Sequence, residues 1–183
     1  MVFVSEKMRK ISNSELNRIS KEAYKTSPKL PIVVLLDNVR SLNNIGSAFR
    51  TADAFLIEAV YLCGITACPP HAEINKTALG AQNTVSWNYY KTASEAVFEL
   101  KQKGYRVCAV EQAEHKVYLQ DFIPTINEPL ALVFGNEVKG VDDAVMQMVD
   151  TCIEIPQFGT KHSLNISVSI GVVLWDICSK LRK

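Results

Sequence analysis

Glycine is sparse in this chain, eight residues in 183, and no GxGxxG run occurs. That absence excludes the dinucleotide fingerprint of Rossmann dehydrogenases and argues against the common glycine-rich methyltransferase fold. Gly135 and Gly140 stand at P-loop spacing, but Val141-Asp142 follows where the motif needs Lys-Ser/Thr, so an NTPase is excluded too. No serine sits in GxSxG, and the three histidines (His71, His115, His162) are scattered, with His162 read as a solvated or capping loop residue. The five cysteines (Cys63, Cys68, Cys108, Cys152, Cys178) are odd in number and form no CxxC pair or Cys/His cluster at zinc spacing. They read as reduced, buried thiols, and no metal site is expected. No signal-peptide core opens the chain and no apolar run reaches the length of a membrane span, so a cytoplasmic protein without a membrane partner is expected.

What is present fits one α/β domain. A chain of 183 residues buries roughly 70% of its unfolded surface, enough for a core without staples. The net charge of +1 is unevenly spread. Residues 1–30 hold seven Lys/Arg against three Glu, net +4, which leaves −3 for residues 31–183. A basic lead segment on a mildly acidic body hints at an anionic partner. Ser12 to Glu15 has the form of a capping box, and Leu16, Ile19 and Ala23 are spaced for one face of a short amphipathic helix. Pro28 and Pro31 then break the chain, so the division is a basic extension over 1–30 and a domain over 31–183.

Within the domain, Ile32 to Leu36 is an unbroken apolar run suited to a strand covered on both faces. Ile45, Phe49 and Ala52 fall on one helical stripe after a polar turn, and Asn44 and Arg50 lie within two turns of that helix or its entry. Strands are predicted at 59–62, 85–87, 105–110, 130–134 and 152–155, with a small helix at 74–79 closed by Gly80, one from Thr92 to Gly104, and one opened by Asp142. Residues 166–177 are rich in β-branched side chains, yet the run is too long for one strand and lacks period-two alternation; it is read as a helix capped by Ser163 and Asn165. Strands alternating with helices imply right-handed crossovers and a mostly parallel sheet with helices on both faces.

Three polar segments each follow an apolar strand: Asn44 to Arg50, Gly135 to Gly140, and Pro156 to Asn165. In an open parallel sheet such strand ends share one edge, where ligands bind, so the three are expected to form one site. Gly135 and Gly140 frame a loop whose backbone a ligand can approach closely. Taken together, Asn44-x5-Arg50-Thr51-Ala52, Leu132-Val133-Phe134-Gly135-Asn136-Glu137-x2-Gly140 and Ile155-Pro156-x2-Gly159-x3-Ser163-Leu164-Asn165-Ile166-Ser167 resemble the three motifs of the SpoU (TrmH-like) RNA ribose 2′-O-methyltransferases, members of the SPOUT superfamily. The resemblance spans about residues 31–180 and keeps the family's order.

That resemblance implies a sheet whose C-terminal segment is threaded into a trefoil knot, a topology physical priors alone would not choose. It implies S-adenosyl-L-methionine as cofactor, with Gly135, Ile155 and Leu164 contacting it mainly through backbone groups. The implied reaction moves a methyl group to a ribose 2′-hydroxyl of tRNA or rRNA, with Asn44, Arg50, Glu137, Ser163 and Asn165 at catalytic positions. A homodimer through the C-terminal helix is also implied. Because an arginine pKa exceeds about 12, Arg50 is expected to grip a phosphate and align the ribose rather than act as a base. Two alternatives remain at this point: a catalytically silent RNA-binding protein on the same fold, and a small-molecule enzyme holding an anion at the Gly135 loop.

Overall fold

The computed structural model describes residues 8–182. Seven strands form one sheet: β1 (Leu30–Asp37), β2 (Ile57–Cys63), β3 (Ser86–Tyr90), β4 (Arg106–Val110), β5 (Val117–Tyr118), β6 (Leu130–Phe134) and β7 (Thr151–Glu154). Their order across the sheet is β3-β2-β1-β6-β4-β7-β5, and every pairing is parallel. All C-terminal strand ends therefore lie on one edge. The helices are α1 (Lys21–Thr26), α2 (Leu42–Phe55), α3 (Ala72–Ala78), α4 (Ala93–Gln102), α5 (Asp143–Met146) and α6 (Ile166–Leu181).

The unbroken apolar run in β1 has a direct cause. Ile32, Val34 and Leu36 point into a core shared with α2 and α6, while Val33 and Leu35 point into a second core shared with α4 and α5. Both faces of the strand are covered, so neither alternate set can be polar. Each such fully buried aliphatic side chain stabilises the fold by about 1.5–3 kcal/mol. On α2, Ile45, Phe49 and Ala52 are fully buried as the stripe predicts. On α6, Ile166, Ile170, Val173, Leu174 and Ile177 form a buried face with helical spacing against α2, which settles the strand-or-helix conflict in favour of helix.

Three expectations need correction. The Ser12–Glu15 pair does form its reciprocal contact, the Glu15 carboxylate accepting from the Ser12 N–H at 2.8 Å, but it closes only one 3-10 turn, Asn13–Leu16. Asn17 then adopts φ +47°, and the helix restarts behind Ser20, whose Oγ accepts from the Ala23 N–H. The predicted stripe finds no core to bury it: Leu16 and Ile19 are 38% and 54% exposed, and Tyr24 alone anchors the segment. Secondly, α3 ends at Ala78, with Leu79 itself in the left-handed region at φ +51° ahead of Gly80 at +97°. Thirdly, Asn165 is the cap of α6 and Ser163 is not; the Asn165 Oδ1 accepts from the Ser167 N–H at 2.8 Å. The two-residue strand β5 is too short to leave any period in the sequence.

Candidate functional site

A cleft of about 560 Å³ opens at the C-terminal ends of β6, β4 and β7, three neighbours in the sheet. Its size falls in the range of ligand pockets. One wall is the loop after β6. Asn136 and Gly140 exchange backbone hydrogen bonds, and the Asn136 Oδ1 accepts from the N–H groups of Val138 and Lys139 at 3.0 and 2.9 Å. This folds the loop back on itself, and the two glycines serve that packing. A Cβ on Gly135 would fall inside the backbone of Gly140 and Val141, and one on Gly140, whose φ is +71°, would strike the Glu111 carboxylate. The loop's own backbone and Glu111 therefore suffice to require glycine at both positions.

Glu111 and Gln112, at the end of β4, complete this wall and were missed by the motif reading. The Glu111 carboxylate accepts from the N–H of Val141 at 3.1 Å and of Gln112 at 2.9 Å, tying the β4 and β6 loops together. The Gln112 side chain donates to the His162 carbonyl at 2.7 Å, tying both to the 155–165 loop. They follow an apolar strand as the other polar segments do, and that rule applied to β4 would have found them. His162 is exposed and lines the cleft, and its backbone carbonyl is the group that is used.

The three motif segments meet in a chain of side-chain hydrogen bonds. Asn165 Nδ2 donates to Asn44 Oδ1 at 3.3 Å, and Asn44 Nδ2 donates to Glu137 Oε1 at 2.9 Å. The helix cap fixes the direction of this chain. Because Asn165 Oδ1 is committed to the N–H of Ser167, its Nδ2 must be the donor, so Asn44 must accept with oxygen and donate with nitrogen. Glu137 is exposed at the end of the chain with one oxygen held in place. Asn44 sits behind the cleft, 9% exposed, whereas Glu137 and Asn165 line it.

Gly135, Ile155, Ser163 and Leu164 also line the cleft. Apolar contributions come from Phe134, Val110, Ile155, Leu164 and Ile166, and carboxylates from Glu111, Glu137 and Glu154. Glu154 is ion-paired to Lys116 at 3.3 Å. An apolar wall beside several carboxylates fits a ligand with a flat apolar part and a positive charge.

Arg50 does not join this site. Six residues beyond Asn44 on an α-helix is about 9 Å along the axis and about 240° around it, so the two side chains leave α2 on different faces. Arg50 is exposed and lines a separate groove with Arg18, Lys21, Asp53 and Arg182. Deeper at the same sheet edge, Asp37 is 1% exposed; burial raises its pKa, while its oxygens accept from the Asp142 N–H at 2.9 Å and the Asn38 amide at 2.7 Å. All five cysteines are free, and burial raises each thiol pKa, to about 12 for Cys108 and about 11 for Cys178. Among the described residues no helix is long and apolar enough to cross a membrane.

Comparison with known proteins places this architecture. The chain is 34% identical over 82% of its length to a 23S rRNA (guanosine-2′-O-)-methyltransferase RlmB of Nitrosomonas europaea, of which it covers 56%. It is 28% identical over 83% of its length to a tRNA (guanosine(18)-2′-O)-methyltransferase of Borreliella burgdorferi, of which it covers 68%. Among solved structures, the A. aeolicus TrmH/SpoU tRNA modifying enzyme superposes with a TM-score of 0.76 at 24% identity, covering 87% of this chain and 79% of that one. An AdoMet-bound rRNA methyltransferase from Sinorhizobium meliloti gives 0.74 at 25% identity, covering 87% of this chain and 60% of that one. The model of the SpoU rRNA Methylase family matches residues 31–175, which span β1, all three motif segments and most of α6, and the chain belongs to that family.

Proposed function

We propose that this protein transfers a methyl group from S-adenosyl-L-methionine to a ribose 2′-hydroxyl of RNA. The observation that carries this reading is the Asn165–Asn44–Glu137 hydrogen-bond chain, which unites the three motif segments at the rim of one cleft. The cleft's apolar wall and carboxylates suit a cofactor with an adenine ring and a sulfonium charge, held by Gly135, Ile155 and Leu164. Bound there, the cofactor supplies an electrophilic methyl group.

The rest of the chemistry falls to the chain's own residues. A ribose hydroxyl is a weak nucleophile because its pKa lies far above neutrality, so it needs deprotonation, alignment, or both. Glu137, with Asn44 and Asn165 fixing its position and Ser163 lining the same cleft, forms a polar edge to face the hydroxyl. Arg50 grips the neighbouring phosphate, which agrees with its place outside the cofactor cleft.

Assembly and topology belong to the same reading. Val168, Val172 and Trp175 are 49%, 37% and 63% exposed, and their spacing puts them on one face of α6. A second copy covers that face, giving a homodimer; light scattering that returns a monomer of 20.4 kDa at micromolar concentration would rule it out. The return of the chain through 155–165 to α6 is the threaded segment of a knot, and residues 31–183 form the methyltransferase domain behind a basic extension. The activity is tested with a radiolabelled methyl donor and RNA from cells lacking the gene. Label should enter RNA at an alkali-resistant linkage; absence of both labelling and cofactor binding by calorimetry sinks the proposal.

A further inference from the structure

The groove that holds Arg50 has a volume of about 730 Å³ and shares no lining residue with the cofactor cleft. It runs between the 16–24 segment and the faces of α2 and α3. Four cationic side chains line it, Arg18, Lys21, Arg50 and Arg182, against a single carboxylate, Asp53. Asp53 is itself engaged, accepting from the Thr84 hydroxyl at 2.9 Å. Arg182 donates to the Phe55 carbonyl at 2.8 Å, but Arg18, Lys21 and Arg50 make no hydrogen bond or ion pair among the described residues.

The other cations of the leading segment are placed differently. Arg9 is paired with Glu15 at 2.7 Å, and the Lys29 ammonium folds onto the carbonyls of Tyr24 and Ser27 and over the Tyr24 ring. Lys10 and Lys25 are exposed but lie outside the groove. The basic character of residues 1–30 is therefore not uniform: of the cations in its described part, two face the same groove as Arg50.

We infer that this groove carries the phosphate backbone of the RNA beside the modified nucleotide, with Arg18 and Lys21 as phosphate contacts leading to Arg50. The inference rests on the reading of the protein as an RNA methyltransferase and adds the path of the substrate. Its chemistry favours a repeating polyanion over a compact phosphate. A single phosphate is held by fixed forks or by converging backbone N–H groups, whereas here several cations, three of them without a partner among the described residues, are spread along an open channel. Ile19 and Leu79, 54% and 66% exposed, line the same groove and supply apolar surface for sugar and base faces.

The test compares two double variants of equal charge change, Arg18→Gln/Lys21→Gln within the groove and Lys10→Gln/Lys25→Gln outside it. Binding of a fluorescent RNA stem-loop is measured across a salt series, and S-adenosylmethionine binding by calorimetry. Each duplex phosphate contact contributes about 0.9 to the slope of log affinity against log salt, so the groove variant should flatten that slope by roughly two units. The control variant should retain the wild-type slope, and cofactor affinity should be unchanged in both. Equal flattening by both pairs would show a net-charge effect and overturn the groove, as would an unchanged slope in the groove variant. A wild-type protein that binds the cofactor but not RNA refutes the groove alone; one that binds neither refutes the methyltransferase reading with it.

Discussion

The cleft at the strand ends and the groove along α2 hold polar groups in opposite ways. The polar groups that build the cleft's walls are committed: Glu111 to two backbone N–H groups, Asn136 to its own loop, and Glu137 and Asn165 to Asn44 behind them. In the groove Arg18, Lys21 and Arg50 are tied to nothing among the described residues. Fixed groups can discriminate one small ligand by shape and charge, because misfit leaves them unpaired. Loose cations tolerate many sequences and draw affinity from counterion release. On the proposed reading, recognition of a cofactor is separate from capture of a polymer, and the two can be damaged independently.

The largest effect is expected at the point where the groove meets the chemistry. Arg50→Ala should lower the methylation rate by about a hundredfold, the scale of misaligning the reacting hydroxyl, while cofactor affinity by calorimetry stays at the wild-type value. An equal loss of both would place Arg50 on the cofactor and end the division between the regions. Next in size is Gly135→Ala, which forces the β6 loop away from Gly140 and Val141. It should cost about 1–3 kcal/mol in denaturant stability and weaken cofactor binding by tenfold or more, with RNA affinity unchanged.

Asn44→Ala should act more mildly on stability, by about 0.5–1.5 kcal/mol, because the Asn165 amide and Glu137 that lose their partner are both exposed to water. Its kcat should fall while the KM for RNA holds; a change confined to that KM would move Asn44 to the groove side of the comparison. The smallest effect concerns Asp37, whose folded-state pKa is raised by burial. The stability tied to its protonated form is complete below the unfolded carboxylate pKa of about 3.9 and declines as pH rises through the higher folded value. Asp37→Asn should remove that downward slope in pH-dependent melts, and an unchanged slope would assign it to another group.

Much of this division was legible in the sequence, and its failures have definite causes. Apolar runs covered on both faces, such as Ile32 to Leu36, leave no other reading than a buried parallel strand, so the sheet and its ligand edge followed. Asn44, Gly135, Glu137, Ile155, Ser163, Leu164 and Asn165 do converge, because polar segments after parallel strands share an edge. Arg50 shares the polar segment after β1 with Asn44, but six residues of helix carry it to another face of α2 and out of the cleft, which segment order alone does not show. The leading helix failed for a different reason: capping chemistry at Ser12 was real, but capping chooses a start and supplies no core to continue against.

Asn165 has one further consequence. The same side chain terminates the hydrogen bonding of α6 and holds Asn44 at the back of the cleft, so it is a joint shared by two surfaces. A ligand that tightened the 155–165 loop would act through this cap on the first turn of α6, where Val168 stands exposed. If a second copy covers α6 as proposed, thermodynamic linkage runs in both directions: any factor by which an occupied cleft strengthens that contact equals the factor by which the contact strengthens binding in the cleft.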